Sequence, residues 1–209
     1  KILMTQTWQM SSQLEKYAQS VDPENQFQWR ANVKRLEAEA IRDSILAVSG
    51  QLDRKFGGTL ITIANRSFFF DHTSKDLTDY SSLRRSIYLP VVRNHLYDVF
   101  SLFDYSDAGS VVGNRTTSTV APQALFMMNS GFMLTASDAV ARMVDSTQNS
   151  EGQIRNLYRI VLARQPTAGE LTKSLLFLRH SKQLSTAEAD SLRLLGQALL
   201  SSNEFIYLR

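Results

Sequence analysis

Residues 36–50 read LEAEAIRDSILAVSG, and this stretch predicts a helical fold more clearly than any other part of the chain. Apolar side chains recur at Ile41, Ile45 and Val48, which is the spacing of one face of an α-helix, while charged side chains occupy the other faces. Gly50 stands where such a helix would need a left-handed residue to end. The stretch therefore predicts an amphipathic helix that ends at this glycine and packs one side against a core.

The second half of the chain repeats this helical spacing in several separate segments. Thr167 with Glu170 forms one capping box, and Ser185 with Glu188 forms another. In a capping box the hydroxyl accepts a hydrogen bond from a backbone N–H of the first turn, and the glutamate reaches back to the cap. Predicted helices in this half lie at 94–103, 122–129, 131–146 and 153–163, and after each capping box.

The rest of the first half gives weaker signals. Spacing of apolar residues predicts a helix over Ile2–Ser20. The segments Thr59–Ile63 and Ser86–Val92 alternate and contain β-branched residues, so they can pair as a small hairpin. Pro90 cannot donate a ladder hydrogen bond, which restricts the second segment to an edge strand or an extended segment.

Together these segments predict a mainly α fold, a compact multi-helix domain with at most a small β-hairpin appendage. We take residues 1–209 as a single helical domain, with a subdivision near residue 110 as the alternative. The chain starts at Lys1 without an initiator methionine or a signal peptide. We therefore expect it to be the C-terminal fragment of a longer multidomain protein.

Composition excludes several classes of function. The 209 residues include no cysteine, which excludes disulfides, thiolate metal sites, a cysteine nucleophile and attached c-type haem within this segment. Net charge is +3, and the basic residues are interspersed with acidic ones rather than gathered in a stripe, so we predict no nucleic-acid partner. No apolar run approaches the roughly 20 residues of a membrane span.

The sequence shows no recognisable catalytic motif. His72, His95 and His180 lie in different predicted elements without a second histidine at helical spacing, so each is better read as an ordinary surface or core residue than as a ligand. Neither a serine nucleophile elbow nor a phosphate-binding loop is present. We predict neither a metal site nor a cofactor in this segment.

An arginine-rich region is the candidate binding site. Arg84, Arg85, Arg93 and Arg115 flank an extended segment and a polar loop, and four guanidiniums can hold a carboxylate, a phosphate or a sugar acid through bidentate hydrogen bonds. The alternative is that each arginine pairs with a carboxylate and fixes a loop to a helix. The carboxylates considered for this pairing are Asp98, Asp104 and Asp107. The full candidate set is Arg84, Arg85, Arg93, Arg115, Thr119 and Gln123.

Five motifs in the chain resemble those of one protein family. They are Leu36–Leu46, Arg84–Tyr88, Thr119–Leu125 with Asn129, Arg164–Thr167 with Glu170, and Ser202–Phe205. In this order, from about Trp8 to the last residue, they resemble the C-terminal domain of unknown function, family fifteen fifty-three, of planctomycete and related bacterial proteins.

The resemblance implies context rather than an activity. Members of this family are large exported proteins that carry a cytochrome-c-like module near the N-terminus and are associated with polysaccharide breakdown. It implies a periplasmic or cell-surface location, upstream domains of the same chain as partners, and a c-type haem in the missing N-terminal part. No catalytic residue follows from it.

Three functional hypotheses are compatible with these observations. The first is a non-catalytic binding or scaffold module of an exported bacterial multidomain protein, with carbohydrate or acidic ligands as candidates. The second is part of a glycan-processing or haem-linked redox enzyme whose site is shared with upstream domains. In that case Asp104 and Asp107 are candidate acid–base residues. The third, a docking domain, predicts an exposed apolar patch of several hundred Å².

Overall fold

The computed structural model describes residues 1–61, 79–92, 96–107, 109–184 and 188–208, the last two ranges without the side chains of 182–184 and 188–190. Over these residues the chain folds as predicted, as a mainly α-helical domain with one small two-stranded sheet. The helices are α1 Lys16–Val21, α2 Ala38–Val48, α3 Asp98–Leu102, α4 Ala121–Asn129, α5 Gly131–Met143, α6 Ser150–Leu162, α7 Ala168–Leu184, α8 Glu188–Leu200 and α9 Asn203–Ile206. Short 3₁₀ turns lie at Ile2–Met4 and Ser86–Tyr88.

The helix predicted at residues 36–50 is confirmed as α2. Ile41 and Ile45 are fully buried, as the spacing predicts. Ser49 caps the helix, and Gly50 follows in the left-handed conformation with φ +69°. A residue other than glycine would be strained at this position.

Helices α5 to α8 pack together and form the larger part of the core, and α2 joins them through α5. Ser130 separates α4 from α5, and its hydroxyl accepts from the backbone N–H of Met133 at 3.2 Å. The capping box of Thr167 and Glu170 is confirmed, since each side chain bonds the other residue's backbone N–H, at 2.7 and 3.3 Å. The second box, at Ser185, lies outside the described residues.

The small sheet forms elsewhere than predicted. Strand β1, Lys34–Arg35, pairs antiparallel with β2, Tyr207–Leu208, so the ribbon joins the start of the helical core to its end. Ser86–Val92 is not a strand: it begins with a 3₁₀ turn because the N–H of Ser86 donates to the Asp43 carboxylate at 2.8 Å. In the other predicted strand, residues 59–61 have no strand structure and residues 62–63 lie outside the described residues.

Residues 1–33 form a segment that we call the N-terminal arm, and the predicted helix over Ile2–Ser20 is wrong there. Only α1 is helical beyond one 3₁₀ turn, because the Glu15 carboxylate accepts the first free N–H groups and starts a new helix. In the described part of the chain, the hydrogen bonds of the arm close within the arm. Its large apolar side chains are exposed: Ile2, Leu3, Met4, Trp8, Leu14, Tyr17, Val21, Phe27 and Val33.

Candidate ligand-binding site

Arg84 is a structural residue. Its side chain is buried and donates to the backbone carbonyls of Lys55 and Gly57, the first at 3.0 Å. The guanidinium lies over the ring of Tyr88, 3.8 Å from its centroid. These contacts fix the loop at residues 55–57, while the Nε of Arg84 is buried without a partner among the described residues.

Arg115 is also engaged within the protein. It donates to both carboxylate oxygens of Glu39, at 2.7 and 2.9 Å, and to Glu37 at 3.1 Å. These bonds, above all those with Glu39, raise the pKa of Arg115. The arginine therefore ties the loop before α4 to the first turn of α2. Its partners are glutamates of α2 and none of the three aspartates considered from the sequence.

Three of the four predicted arginines lie in the described part of the chain, and Arg84 and Arg115 do not share a partner there. Arg84 and Arg115 each have separate partners, and Arg85 is exposed on the surface. Arg93 lies outside the described residues. Arg115 pairs with carboxylates and fixes a loop to a helix, as the alternative interpretation describes, whereas Arg84 donates to backbone carbonyls.

Asp104 and Asp107 have separate structural contacts. Asp104 accepts from Arg35 at 2.7 Å and from the N–H and hydroxyl of Ser118 at 2.7 and 2.8 Å. Burial is the largest single effect on the pKa of Asp104 and raises it, but the bonds from Ser118 and Arg35 outweigh burial and the pKa is lowered. Asp107 accepts from the N–H of Gly109 in its own turn at 2.9 Å. Asp104 is therefore held ionised and is unsuited to donate a proton near neutral pH.

The remaining two candidates, Thr119 and Gln123, line the same cavity. This cavity, which we call the Arg35 cleft, has a volume of about 210 Å³, far above the roughly 10–15 Å³ that one water needs. It lies between the β-ribbon, the end of α3, the start of α4 and α9. Its lining residues are Arg35, Phe103, Thr119, Val120, Gln123, Ala124, Met127, Met128, Ser201, Asn203, Ile206 and Tyr207.

Gln123 shapes the cleft from the first turn of α4. Its amide donates to the carbonyl of Leu102 at 2.8 Å, and its oxygen accepts from the N–H of Val120 at 3.4 Å. Because both ends of the side chain are used, Gln123 holds the α4 start against α3. It acts on the cleft as a positioning residue.

Arg35 forms part of the cleft wall, and its side chain is only 4% exposed. Its two terminal nitrogens donate to the carbonyls of Ser118 and Phe103 and to the Asp104 carboxylate. Its Nε is buried and has no partner among the described residues. A buried donor without a partner costs about 1–3 kcal/mol.

Three neutral polar side chains on the cleft have no hydrogen-bond partner within the described residues. These are the hydroxyl of Thr119, the amide of Asn203 and the hydroxyl of Tyr207. The apolar part of the wall is formed by Phe103, Met127 and Ile206, all buried. The cleft thus combines an apolar wall with uncharged donors and acceptors, the usual composition of a small-molecule site.

Sequence reasoning missed Arg35, Asn203 and Tyr207. Asn203 belongs to a motif quoted above, and Arg35 immediately precedes another, so a signal was present at both. What the sequence did not show is that the ribbon brings residues 35 and 207 side by side.

Several of the motifs are bonded to one another in the structure. Arg42 of α2 donates to the carbonyl of Arg84 at 2.9 Å, and Asp43 accepts from the hydroxyl of Ser86 at 2.7 Å. Thus the first motif is bonded to the second. In the same way Arg164 donates to Glu170 and to Glu204, which joins the fourth motif to the fifth. Most motif residues therefore hold elements together, while Thr119 and Gln123 also border the cleft.

Two further features of the described residues bear on metal binding and on membranes. No group of three or more histidine, aspartate and glutamate side chains in that part of the chain is placed to hold a metal ion. None of the described helices has the length and apolar character needed to cross a bilayer.

Fold and cleft define a mainly α-helical domain with a small-molecule type cavity. The family model PSD1, protein of unknown function (DUF1553), matches residues 1–178, and the chain belongs to this family. The motif at Ser202–Phe205 lies beyond the matched residues. Searches of curated proteins and of solved structures found no match.

Proposed function

We propose that this domain is a non-catalytic binding module that holds a small ligand in the Arg35 cleft, as part of an exported bacterial multidomain protein. The observation that supports this most directly is the composition of the cavity, whose apolar wall is combined with the polar side chains of Thr119, Asn203 and Tyr207. Uncharged donors and acceptors beside an apolar wall are what a small ligand needs for orientation and burial.

Binding is favoured over catalysis by the state of the carboxylates. Asp104, which directly follows the cleft residue Phe103, is committed to Arg35 and Ser118 and has a lowered pKa. Glycoside cleavage needs one carboxyl that carries a proton near neutral pH. Asp104 does not meet this need, and Asp107 is occupied with its own turn.

The test is a thermal-shift screen of neutral and acidic sugars with the chain and two variants. Ala124→Phe fills the cleft from an exposed position of α4, and Ala121→Phe adds the same side chain to α4 without lining the cleft. A ligand at ten times its Kd adds about 1.4 kcal/mol to the free energy of unfolding, or a few degrees in Tm. We expect a shift with the wild type and Ala121→Phe and none with Ala124→Phe. Equal shifts in both variants would refute the cleft as the site.

A scaffold role is the second candidate, and the N-terminal arm favours it. Side chains such as Trp8 and Phe27 are 63% and 84% exposed, and exposed apolar side chains are what a docking surface needs. We propose that the upstream domains of the same chain cover this surface. Hydrogen exchange of residues 1–33 should be slower in the full-length protein than in the 209-residue chain, and equal exchange would contradict docking.

The export of the protein and a haem upstream of this domain are proposals from the family resemblance. The visible absorption spectrum of the native full-length protein tests the haem. A c-type haem band would place the module in an electron-transfer assembly, and a colourless protein would contradict the haem-linked reading and leave the binding module.

A further inference from the structure

We infer that the ligand of the Arg35 cleft is uncharged and carries several hydroxyl groups, as a neutral sugar unit does. This inference rests on the proposed function, because it names the class of ligand that the same cleft would hold. The sequence left carbohydrate and acidic ligands as equal candidates. The contacts of the cleft decide between them.

The charge at the cleft is already balanced within the protein. Of the residues described around the cleft, Arg35 is the charged one, and Asp104 already neutralises it at 2.7 Å. A ligand carboxylate would have to share this guanidinium with Asp104, and the two negative charges would repel each other. Of the four arginines that the sequence predicted for an acidic ligand, Arg84 and Arg115 are engaged elsewhere.

The guanidinium of Arg35 has no free edge for a ligand carboxylate. One terminal nitrogen donates to Phe103 and Asp104, and the other donates to Ser118. The Nε is buried and cannot be reached from the cleft. Because a bidentate pair needs two neighbouring free donors, Arg35 cannot hold a second carboxylate in this way.

The other polar side chains of the cleft can both donate and accept hydrogen bonds. Thr119 and Tyr207 contribute hydroxyls, and Asn203 contributes an amide, and each of these side chains can both donate and accept. Ligand hydroxyls have the same dual capacity, so they can pair with all three. Carboxylate oxygens only accept, so they leave the acceptor half of this set unused.

The apolar wall of the cleft matches the C–H faces of a sugar. Phe103 and Met127 are each only 2% exposed, whereas the lining residues Val120 and Met128 are 46% and 60% exposed and provide accessible apolar surface. Sugars present C–H faces between their hydroxyls, and such faces pack on apolar and aromatic side chains. The combination of apolar wall and neutral polar rim suits a polyhydroxylated ring.

The experiment compares matched pairs of sugars by isothermal titration calorimetry with the 209-residue chain. The pairs are glucose with glucuronic acid and galactose with galacturonic acid, each also as the short oligosaccharide. We expect at least one neutral sugar to bind tenfold or more tightly than its uronic acid. Its Kd should not change between low and high salt, because no charge pairing is involved.

Three variants test which residues of the cleft contribute to sugar binding. Ala124→Phe should abolish binding, whereas Ala121→Phe should leave it unchanged. Tyr207→Phe removes one hydroxyl from an otherwise identical side chain and should weaken the binding of the neutral sugar about threefold to tenfold.

Each outcome of this design is decisive. Uronic acids that bind as tightly as the neutral sugars, and are lost in Ala124→Phe, would overturn this inference and leave the proposed function standing. Binding that survives Ala124→Phe, or no binding by any sugar or uronic acid at tens of millimolar, would overturn both.

Discussion

The helical body and the N-terminal arm use their apolar side chains in opposite ways. In the body, Ile41 and Leu157 are fully buried, and the arginines and glutamates bond one element to another. In the arm, Trp8 and Phe27 face solvent while Asp22 organises local turns through bonds to neighbouring N–H groups. The body therefore carries the stability of the chain, and the apolar surface of the arm contributes only when a partner covers it.

The largest effect is expected at Arg42. Its side chain is 2% exposed and donates to the carbonyls of Arg84 and Ser82, so Arg42→Met leaves these acceptors buried without a donor. Loss of a buried charged partner costs about 3–5 kcal/mol. Chemical denaturation monitored by circular dichroism would measure the free energy of unfolding.

The matched control for Arg42 is Arg155→Met on α6. That arginine forms an exposed pair with Glu151 one helical turn away, and such pairs contribute about 0.3–0.5 kcal/mol. Similar losses in the two variants would show that the Arg42 contacts do not hold the body together.

The second largest effect is expected from the core. Leu157 of α6 is fully buried against α5 and α8, so Leu157→Ala should cost about 2–5 kcal/mol through lost burial and the cavity that remains. Leu157→Met keeps most of the volume and should cost less than about 1.5 kcal/mol. Equal costs for both replacements would mean that packing at this point does not limit stability.

The sequence predicted the helices of the body well because their signals are local. Apolar spacing located α2, and the reciprocal bonds of Thr167 and Glu170 located the start of α7. It predicted the strands poorly because strand pairing is not local. Lys34 pairs with Leu208 across the length of the chain, and neither segment alternates in the way that marks a strand.

For the candidate site, composition identified polar residues but not their partners. Thr119 and Gln123 were predicted and border the cleft, whereas Arg84 donates to backbone carbonyls and Arg115 to carboxylates inside the fold. Which arginine has a spare donor depends on contacts from distant segments. Arg35 has one because Ser118, Phe103 and Asp104 occupy only its terminal nitrogens.

A smaller effect should appear as a pH dependence at Glu170. Hydrogen bonds from Arg164, and then from Thr167, lower the pKa of Glu170 from 4.5 to about 2. The unfolded chain therefore takes up a proton near pH 4.5 while the folded chain does not, so stability is present above that pH and is lost as the pH falls towards 2. With this pair one-third exposed, solvent screening leaves about 1 kcal/mol of this contribution.

The variant Glu170→Gln isolates this contribution. It should be less stable than the wild type at pH 7 by about 1 kcal/mol and should lose less stability between pH 5 and pH 2. Urea unfolding at a series of pH values measures both differences. Parallel curves for the two proteins would contradict the assignment to Glu170.

The smallest change in stability is expected from a substitution in the arm. It tests whether the apolar side chains of the arm stabilise the 209-residue chain or only a complex with a partner. Trp8→Ser removes a large apolar side chain that is 63% exposed, so the free energy of unfolding of the 209-residue chain should change by less than about 0.5 kcal/mol. In the full-length protein the same change should speed hydrogen exchange of residues 1–33, because docking onto the upstream domains would lose an aromatic contact. Val111→Ser, at a fully exposed position of the body, is the control and should change neither quantity. If Trp8→Ser destabilised the isolated chain by more than 1 kcal/mol, the arm would already be packed on the body and its apolar residues would not be a docking surface.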